Sequence, residues 1–178
     1  MTLAASLPAL FSDEHGPALV AVLLTPPVLA AVLFAAAFLA QHGSRLAALW
    51  LMALGSVQPV VRLVALLLVL DATLHAGLVP AHAGHAALLA VLFGLDALAL
   101  LLVAIWTTVA EGWEPVALAL LVANLVAYAL FVDTGREAAD AVGLGCKLLE
   151  LFAIALIVAQ TIRWTDARVS PAATSRFR

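Results

Sequence analysis

Charged side chains are scarce in this sequence. Only 11% of its 178 residues are Asp, Glu, Lys or Arg, whereas 66% are hydrophobic and the mean hydropathy is +1.17. A soluble domain carries roughly 25% charged and 45–50% apolar residues, so this chain has too little polar surface to cover a water-soluble globule. Disordered, fibrous and disulfide-framework proteins are excluded by the same composition. The sequence therefore predicts an all-α integral membrane protein.

Several features that would identify a function are also missing. Cys146 is the single cysteine, so neither an intrachain disulfide nor a CxxC redox pair exists. The net charge of −3 offers no basic surface to nucleic acid. The sequence contains no P-loop, no GxGxxG motif after a strand and no GxSxG nucleophile motif. Because no polar loop is long enough to form a soluble catalytic domain, any chemistry must take place within the membrane domain or at its surface.

Five apolar runs are long enough to cross a bilayer, which takes about 20 helical residues. They cover residues 17–40, 46–76, 85–109, 115–132 and 142–162. We therefore predict a bundle of five transmembrane helices over residues 17–163, between a segment over 1–16 and an Arg-containing tail over 164–178. The second run is longer than a bilayer requires, so it must tilt, kink at Pro59 or protrude.

The positions of Arg and Trp predict the orientation of the bundle. With the C-terminus in the cytoplasm, five Arg lie on the cytoplasmic side and only Arg136 lies outside, in agreement with the positive-inside rule. All four Trp then lie at cytoplasmic ends of spans, where aromatic side chains favour the interface. These residues are Arg45, Arg163, Arg168, Arg176 and Arg178, and Trp50, Trp106, Trp113 and Trp164. The N-terminus is expected outside and the C-terminus inside.

The expected location is the cell (cytoplasmic) membrane, which the chain crosses several times. Seven of the eight basic residues are Arg, and Ala, Leu and Val dominate the sequence, a bias typical of a GC-rich bacterium. The expected partners are the lipid bilayer and either other membrane subunits or further copies of the chain. No nucleic-acid partner is expected.

Four spans each contribute one polar residue at a similar depth in the membrane: Arg62, Asp96, Asn124 and Glu150. A charged side chain near the centre of a membrane helix costs about 2.5–3.5 kcal/mol, so such groups usually face the interior of a bundle. We predict an intramembrane polar network in which Arg62 pairs with Asp96, Glu150 or both. It either clamps the bundle or forms a polar pathway. Lys147 has two alternatives, which are to reach the interface or to pair with Glu150 at i,i+3.

Acidic residues and histidines collect on the predicted outer face. Asp71 and His75 are at i,i+4, and His82 and His85 are at i,i+3. These spacings allow two side chains on one helix to contact the same metal ion. We therefore predict a divalent metal site at the outer face, with the acidic and histidine residues 13–15 close to it. One alternative is that these groups titrate near neutral pH and serve as a proton entry. The other is a polar rim that only hydrates the membrane surface.

The sequence favours a small accessory or anchoring subunit of a membrane complex, because the chain is short and has no extramembrane domain. The alternative is a small transporter, or an ion- or proton-conducting protein that uses the intramembrane charges. A membrane-embedded enzyme that depends on a metal or cofactor is a third interpretation, and no sequence motif supports it. Whether the protein is an enzyme is left open by the sequence.

The predicted orientation can be tested with reporter fusions. Alkaline phosphatase fused after Arg178 should be inactive, because the tail is expected in the reducing cytoplasm. The same enzyme fused after Asp133, in a predicted outer loop, should be active. An active fusion at Arg178 would contradict the orientation and the assignment of an outer face.

Overall fold

Six α-helices make up most of the chain in the computed structural model, which describes residues 16–135 and 141–169. They are α1 (Gly16–Gln41), α2 (Arg45–Ser56), α3 (Pro59–Ala83), α4 (Ala87–Val109), α5 (Glu114–Asp133) and α6 (Ala141–Val169). Five of them are long and apolar enough to cross a membrane, and the described residues contain no β-strand. The predicted all-α membrane bundle is thereby confirmed.

The second apolar run, over residues 46–76, is divided into two helices. α2 ends at Ser56, and Val57 and Gln58 have extended ψ angles of 137° and 145° before α3 begins at Pro59. Proline causes this break, because it disfavours helical geometry in the preceding residue and itself suits the first helical turn. With 12 residues, α2 is about 18 Å long and too short for a hydrocarbon core of about 30 Å. The second span is therefore α3, which continues to Ala83.

α3 occupies the centre of the bundle and packs against α1, α4 and α6. At one end of the bundle, large side chains of α3 to α6 form the main hydrophobic core, which includes Leu68, Leu100, Leu121 and Ile157. A smaller core, around Ala18, Leu74, Leu78, Val142 and Cys146, lies toward the end where α3 meets α4. Most large apolar side chains of α1 remain exposed, as expected for a helix that faces lipid.

α1 and α3 approach each other closely because small residues face each other between them. A Cβ atom placed on Gly77 would lie 2.9 Å from the backbone nitrogen of Ala18 and still closer to its Cα atom. Nearby, the Thr25 hydroxyl group donates a hydrogen bond to the Thr73 hydroxyl oxygen over 3.0 Å. Small residues and interhelical hydrogen bonds are the usual means by which helices associate in lipid. The glycine at position 77 is thus required by the packing of α1.

Replacing Gly77 with alanine should destabilise the bundle by about 1–3 kcal/mol, because the new methyl group meets backbone atoms that cannot rotate away. The measurement is detergent-solubilised thermal or SDS-induced unfolding. Gly94→Ala is the matched control, since its Cβ would lie 3.7 Å from a Val79 methyl group, an ordinary contact. Equal stability of Gly77→Ala and Gly94→Ala would show that α1 does not pack on α3 as described.

Candidate functional site

Polar side chains of four helices meet near the middle of the bundle. They are Asp71 and His75 on α3, Asp96 on α4, Asn124 and Tyr128 on α5, and Cys146, Lys147 and Glu150 on α6. We call these eight residues the buried polar cluster. Asp71 is about 18 Å from either end of α3, so the cluster lies at a depth where hydrocarbon surrounds the bundle. Polar groups at this depth are costly unless they bind one another or a ligand.

The Asp96 carboxylate connects three helices within the cluster. Asn124 Nδ2 donates a hydrogen bond to Asp96 Oδ2 over 3.0 Å, and His75 Nε2 lies 3.3 Å from the same oxygen. The Asp96 side chain is 14% exposed, whereas that of His75 is 7% exposed. One oxygen atom of α4 therefore fixes the positions of a histidine on α3 and an amide on α5.

Both nitrogen atoms of the His75 ring face oxygen atoms. Nε2 faces Asp96, while Nδ1 lies 3.0 Å from the main-chain oxygen of Asp71 and 3.5 Å from its carboxylate Oδ1. A neutral imidazole carries one N–H group and can donate on one side only. The remaining nitrogen then directs its lone pair toward an oxygen, and a cation bound between these two atoms would remove the repulsion.

Asp71 is the single acid of α3. It is 1% exposed, and no N–H or O–H group of the described residues donates a hydrogen bond to its carboxylate oxygens, so the Cys146 thiol is the donor that faces them. Cys146 on α6 faces it, and ligand atoms of Asp71, His75 and Cys146 all lie within 4.8 Å of one another. Carboxylate, imidazole and thiolate groups are common metal ligands. These three residues can therefore hold a metal ion.

Lys147 points into the bundle rather than to the membrane surface. Its Nζ contacts Glu150 Oε1, donates to the main-chain oxygen of Asn124 over 3.4 Å and lies 5.4 Å from the centre of the Tyr128 ring. Glu150 is fully buried at 0% exposure. Of the two alternatives that the sequence left for Lys147, the structure adopts the i,i+3 pair with Glu150. The bond from Lys147 to the Asn124 main-chain oxygen also joins α5 to α6.

A cavity of about 420 Å³ borders the cluster between α3, α4, α5 and α6. Small residues cause it, because Ala99, Ala123, Ala127 and Gly143 leave the space between these helices unfilled. His75, Asp96, Asn124 and Lys147 provide polar groups at mid-span, and Leu89, Phe131 and Val142 line the part near the ends of their helices. Ligand pockets commonly combine mostly apolar walls with a few polar groups in this way.

Arg62 is not part of the buried polar cluster. It lies in the first turn of α3 with its side chain exposed, and about 20 Å of helix separates it from His75. Within the described part of the chain, Asp96 and Glu150 pair with His75 and Lys147 instead. The predicted ion pair of Arg62 is thus corrected. A single helix from residue 46 would place Arg62 deep in the membrane, whereas the span begins at Pro59, so Arg62 is close enough to the end to reach the interface.

The four residues of the predicted outer metal site are separated into two pairs. Asp71 and His75 adjoin in the cluster, but His82 lies about 10 Å further along α3. The His82 ring is buried 5.0 Å from the Phe93 ring and 5.6 Å from that of exposed His85. The residues expected nearby, at 13–15, lie outside the described part of the chain.

Cys146 was not singled out by the sequence as a ligand, although a signal existed. Cys146 and Glu150 share one face of α6 at i,i+4, as Asp71 and His75 share one face of α3. Their proximity depends on the crossing of α3 and α6, which a sequence pattern does not fix. Comparison of the chain with protein-family models, curated proteins and solved structures finds no match.

Removing Lys147 should be strongly destabilising because Glu150 would be left buried without its cation. Lys147→Met should lower the free energy of unfolding by about 3–5 kcal/mol, and adding Glu150→Met should restore most of the loss. Unfolding in detergent or mixed micelles measures both. Arg62→Met, which removes an exposed cation from α3, is the control and should change stability by no more than about 0.5 kcal/mol. Glu150→Met alone is measured as well. If the double variant loses as much unfolding free energy as the two single variants together, the pair does not contribute to stability.

Proposed function

We propose that this multi-pass membrane protein transports a small cation, which binds at the buried polar cluster and passes through the adjoining cavity. The observation that carries the proposal is the excess of acidic groups in the cluster. The five membrane-spanning helices provide the setting, and the cavity provides space for an ion with part of its hydration shell.

The charges of the cluster support a cationic ligand. It holds three acids, Asp71, Asp96 and Glu150, but in the described residues Lys147 is its only Lys or Arg side chain. Lys147 is already paired with Glu150. His75 is then the one basic group shared by Asp71 and Asp96. Since an unbalanced carboxylate is costly away from water, binding a positive ion there is favourable.

The cavity supports access from one side of the membrane. It extends from Asp96 and Asn124 at mid-span to Leu89, Phe131 and Val142, near the ends of α4, α5 and α6. In the predicted orientation these ends are on the outer side. A cation that enters there meets the Asp96 carboxylate, which is the partly exposed acid of the cluster. Asp96 is accordingly the residue that we assign to ion entrance.

Pairing within the chain favours transport over the accessory-subunit role. Charges that anchor a partner helix must be left available to that partner, whereas here His75 pairs with Asp96, and Lys147 with Glu150. The subunit interpretation remains a prediction from chain size, and it differs from transport in requiring a second, stoichiometric chain.

Transport can be measured with purified protein in liposomes. Uptake of Na⁺, K⁺, Mg²⁺, Mn²⁺, Co²⁺ and Zn²⁺, and proton flux, are followed in separate assays against protein-free vesicles. We expect uptake of at least one cation, and Asp96→Asn should slow it about tenfold or more, because a charged contact contributes about 1.5–3 kcal/mol. Glu111→Gln makes the same chemical change at an exposed acid between α4 and α5 and should have no effect.

Two results would contradict the proposal. One is the absence of flux of any tested cation above that of empty vesicles, in preparations whose folding is verified. The other is flux that Asp96→Asn and Glu111→Gln leave equally unchanged. Absence of flux together with a stoichiometric membrane partner after mild solubilisation would identify the protein as an accessory subunit.

A further inference from the structure

We propose that Asp71, His75 and Cys146 form a binding site for a divalent transition-metal ion. The proposal rests on the proposed function in naming the class of cation that is transported, whereas binding itself can be tested without transport. It differs from the outer-face metal site predicted from sequence, because it replaces His82 and His85 with a cysteine from another helix.

The geometry brings three different ligand types to one point. One ligand atom from each residue lies within 4.8 Å of the other two, and His75 Nδ1 is 3.5 Å from Asp71 Oδ1. Bonds of about 2.0–2.3 Å to a shared ion would draw these atoms slightly closer. The three residues are 1%, 6% and 2% exposed, so water reaches them poorly. Asp71 in particular has two oxygens to which no N–H or O–H group of the described residues donates a hydrogen bond, and the thiol that faces them is that of Cys146.

The ligand set determines the class of metal. A thiolate and an imidazole are poor ligands for Mg²⁺ and Ca²⁺, which prefer oxygen atoms. Ions such as Zn²⁺ and Co²⁺ accept sulfur, nitrogen and oxygen together in sites of low coordination number. The site therefore favours these ions over alkali and alkaline-earth ions.

The charge of the bound site suits its burial. The Cys146 thiol loses its proton when the ion binds, and that proton is released to solvent. The thiolate and the Asp71 carboxylate then carry two negative charges against the two positive charges of the ion, while His75 stays neutral. A neutral assembly is far less costly to bury than the carboxylate alone.

Asp96 and Asn124 hold the His75 ring in the orientation that metal binding requires. When the ion binds, Nδ1 exchanges its 3.0 Å contact with the main-chain oxygen of Asp71 for the metal, and Nε2 carries the ring hydrogen and faces Asp96 Oδ2 at 3.3 Å. Asn124 donates to that same oxygen and fixes the carboxylate. Metal-bound histidines usually donate their second nitrogen to a carboxylate in this manner. Asp96 is thus a positioning residue for the metal site.

The competing explanation is that His75 carries two N–H groups and simply pairs with Asp71 and Asp96. In that case no metal binds, and the Cys146 thiol only donates a hydrogen bond to Asp71. The two explanations differ in a direct observable, which is a bond between sulfur and metal. Because Cys146 is the only cysteine in the sequence, such a signal can come from no other residue.

The test uses the full chain, purified in detergent without a polyhistidine tag and titrated with Co²⁺. We expect a single ion per chain and a thiolate-to-cobalt charge-transfer absorption in the near ultraviolet, displaced by Zn²⁺. Cys146→Ser should abolish the absorption. Asp71→Asn and His75→Ala should each weaken binding more than tenfold, and Asp96→Asn should weaken it about tenfold to a hundredfold. His85→Ala, an exposed histidine outside the site, should leave both signals unchanged.

Folding of each variant is checked by its thermal unfolding in the metal-free state. If His75→Ala does not fold, the loss of binding is measured with Asp71→Asn, which is nearly isosteric with the wild type. Absence of the charge-transfer absorption in the folded wild type would overturn the metal site. Sodium or proton flux without metal binding would overturn the site and leave cation transport standing. Metal binding without flux of any cation would leave the metal site standing and overturn cation transport.

Discussion

The Asp96 carboxylate is the constraint on which the polar interior of the bundle depends. A single oxygen atom contacts His75 on α3 and Asn124 on α5, so α4 orients groups on both neighbouring helices. In hydrocarbon, water cannot substitute for a lost partner, and each of these groups needs the others. The Lys147–Glu150 pair of α6 extends the same arrangement, because Lys147 also donates to the Asn124 carbonyl group.

Two kinds of packing determine where the buried polar cluster lies in the bundle. Large side chains such as Leu68, Leu100 and Ile157 fill the core on one side of it, while small residues leave the cavity open on the other. The close approach of α1 at Gly77 holds α3 in place through its contact with Ala18. The polar groups therefore lie between a filled core and an open cavity, an arrangement suited to binding an ion that enters from one side.

The proposed transport and the proposed metal site use different parts of the same cluster. Asp96 and Cys146 both line the cavity, whereas Asp71 lies behind them and does not line it. His75 joins the two because its ring nitrogens face Asp96 on one side and Asp71 on the other. A cation at Asp96 would thus lie close to the imidazole and thiol groups of the proposed metal site.

The sequence by itself determined that the protein is an all-α membrane bundle, because composition and the length of apolar runs follow directly from bilayer thickness. Its i,i+3 and i,i+4 spacings also indicated Lys147 with Glu150 and Asp71 with His75, since neighbours on one helix need no tertiary information. Only the tertiary structure decided the depth of Arg62, which depends on the break at Pro59, and the separation of His82 and His85 from Asp71. Only it brought Cys146 to the site, because contacts between helices depend on their crossing and rotation. Apolar helices can pack with several different crossings and rotations. In lipid, small differences in side-chain size at the helix contacts determine which of them forms.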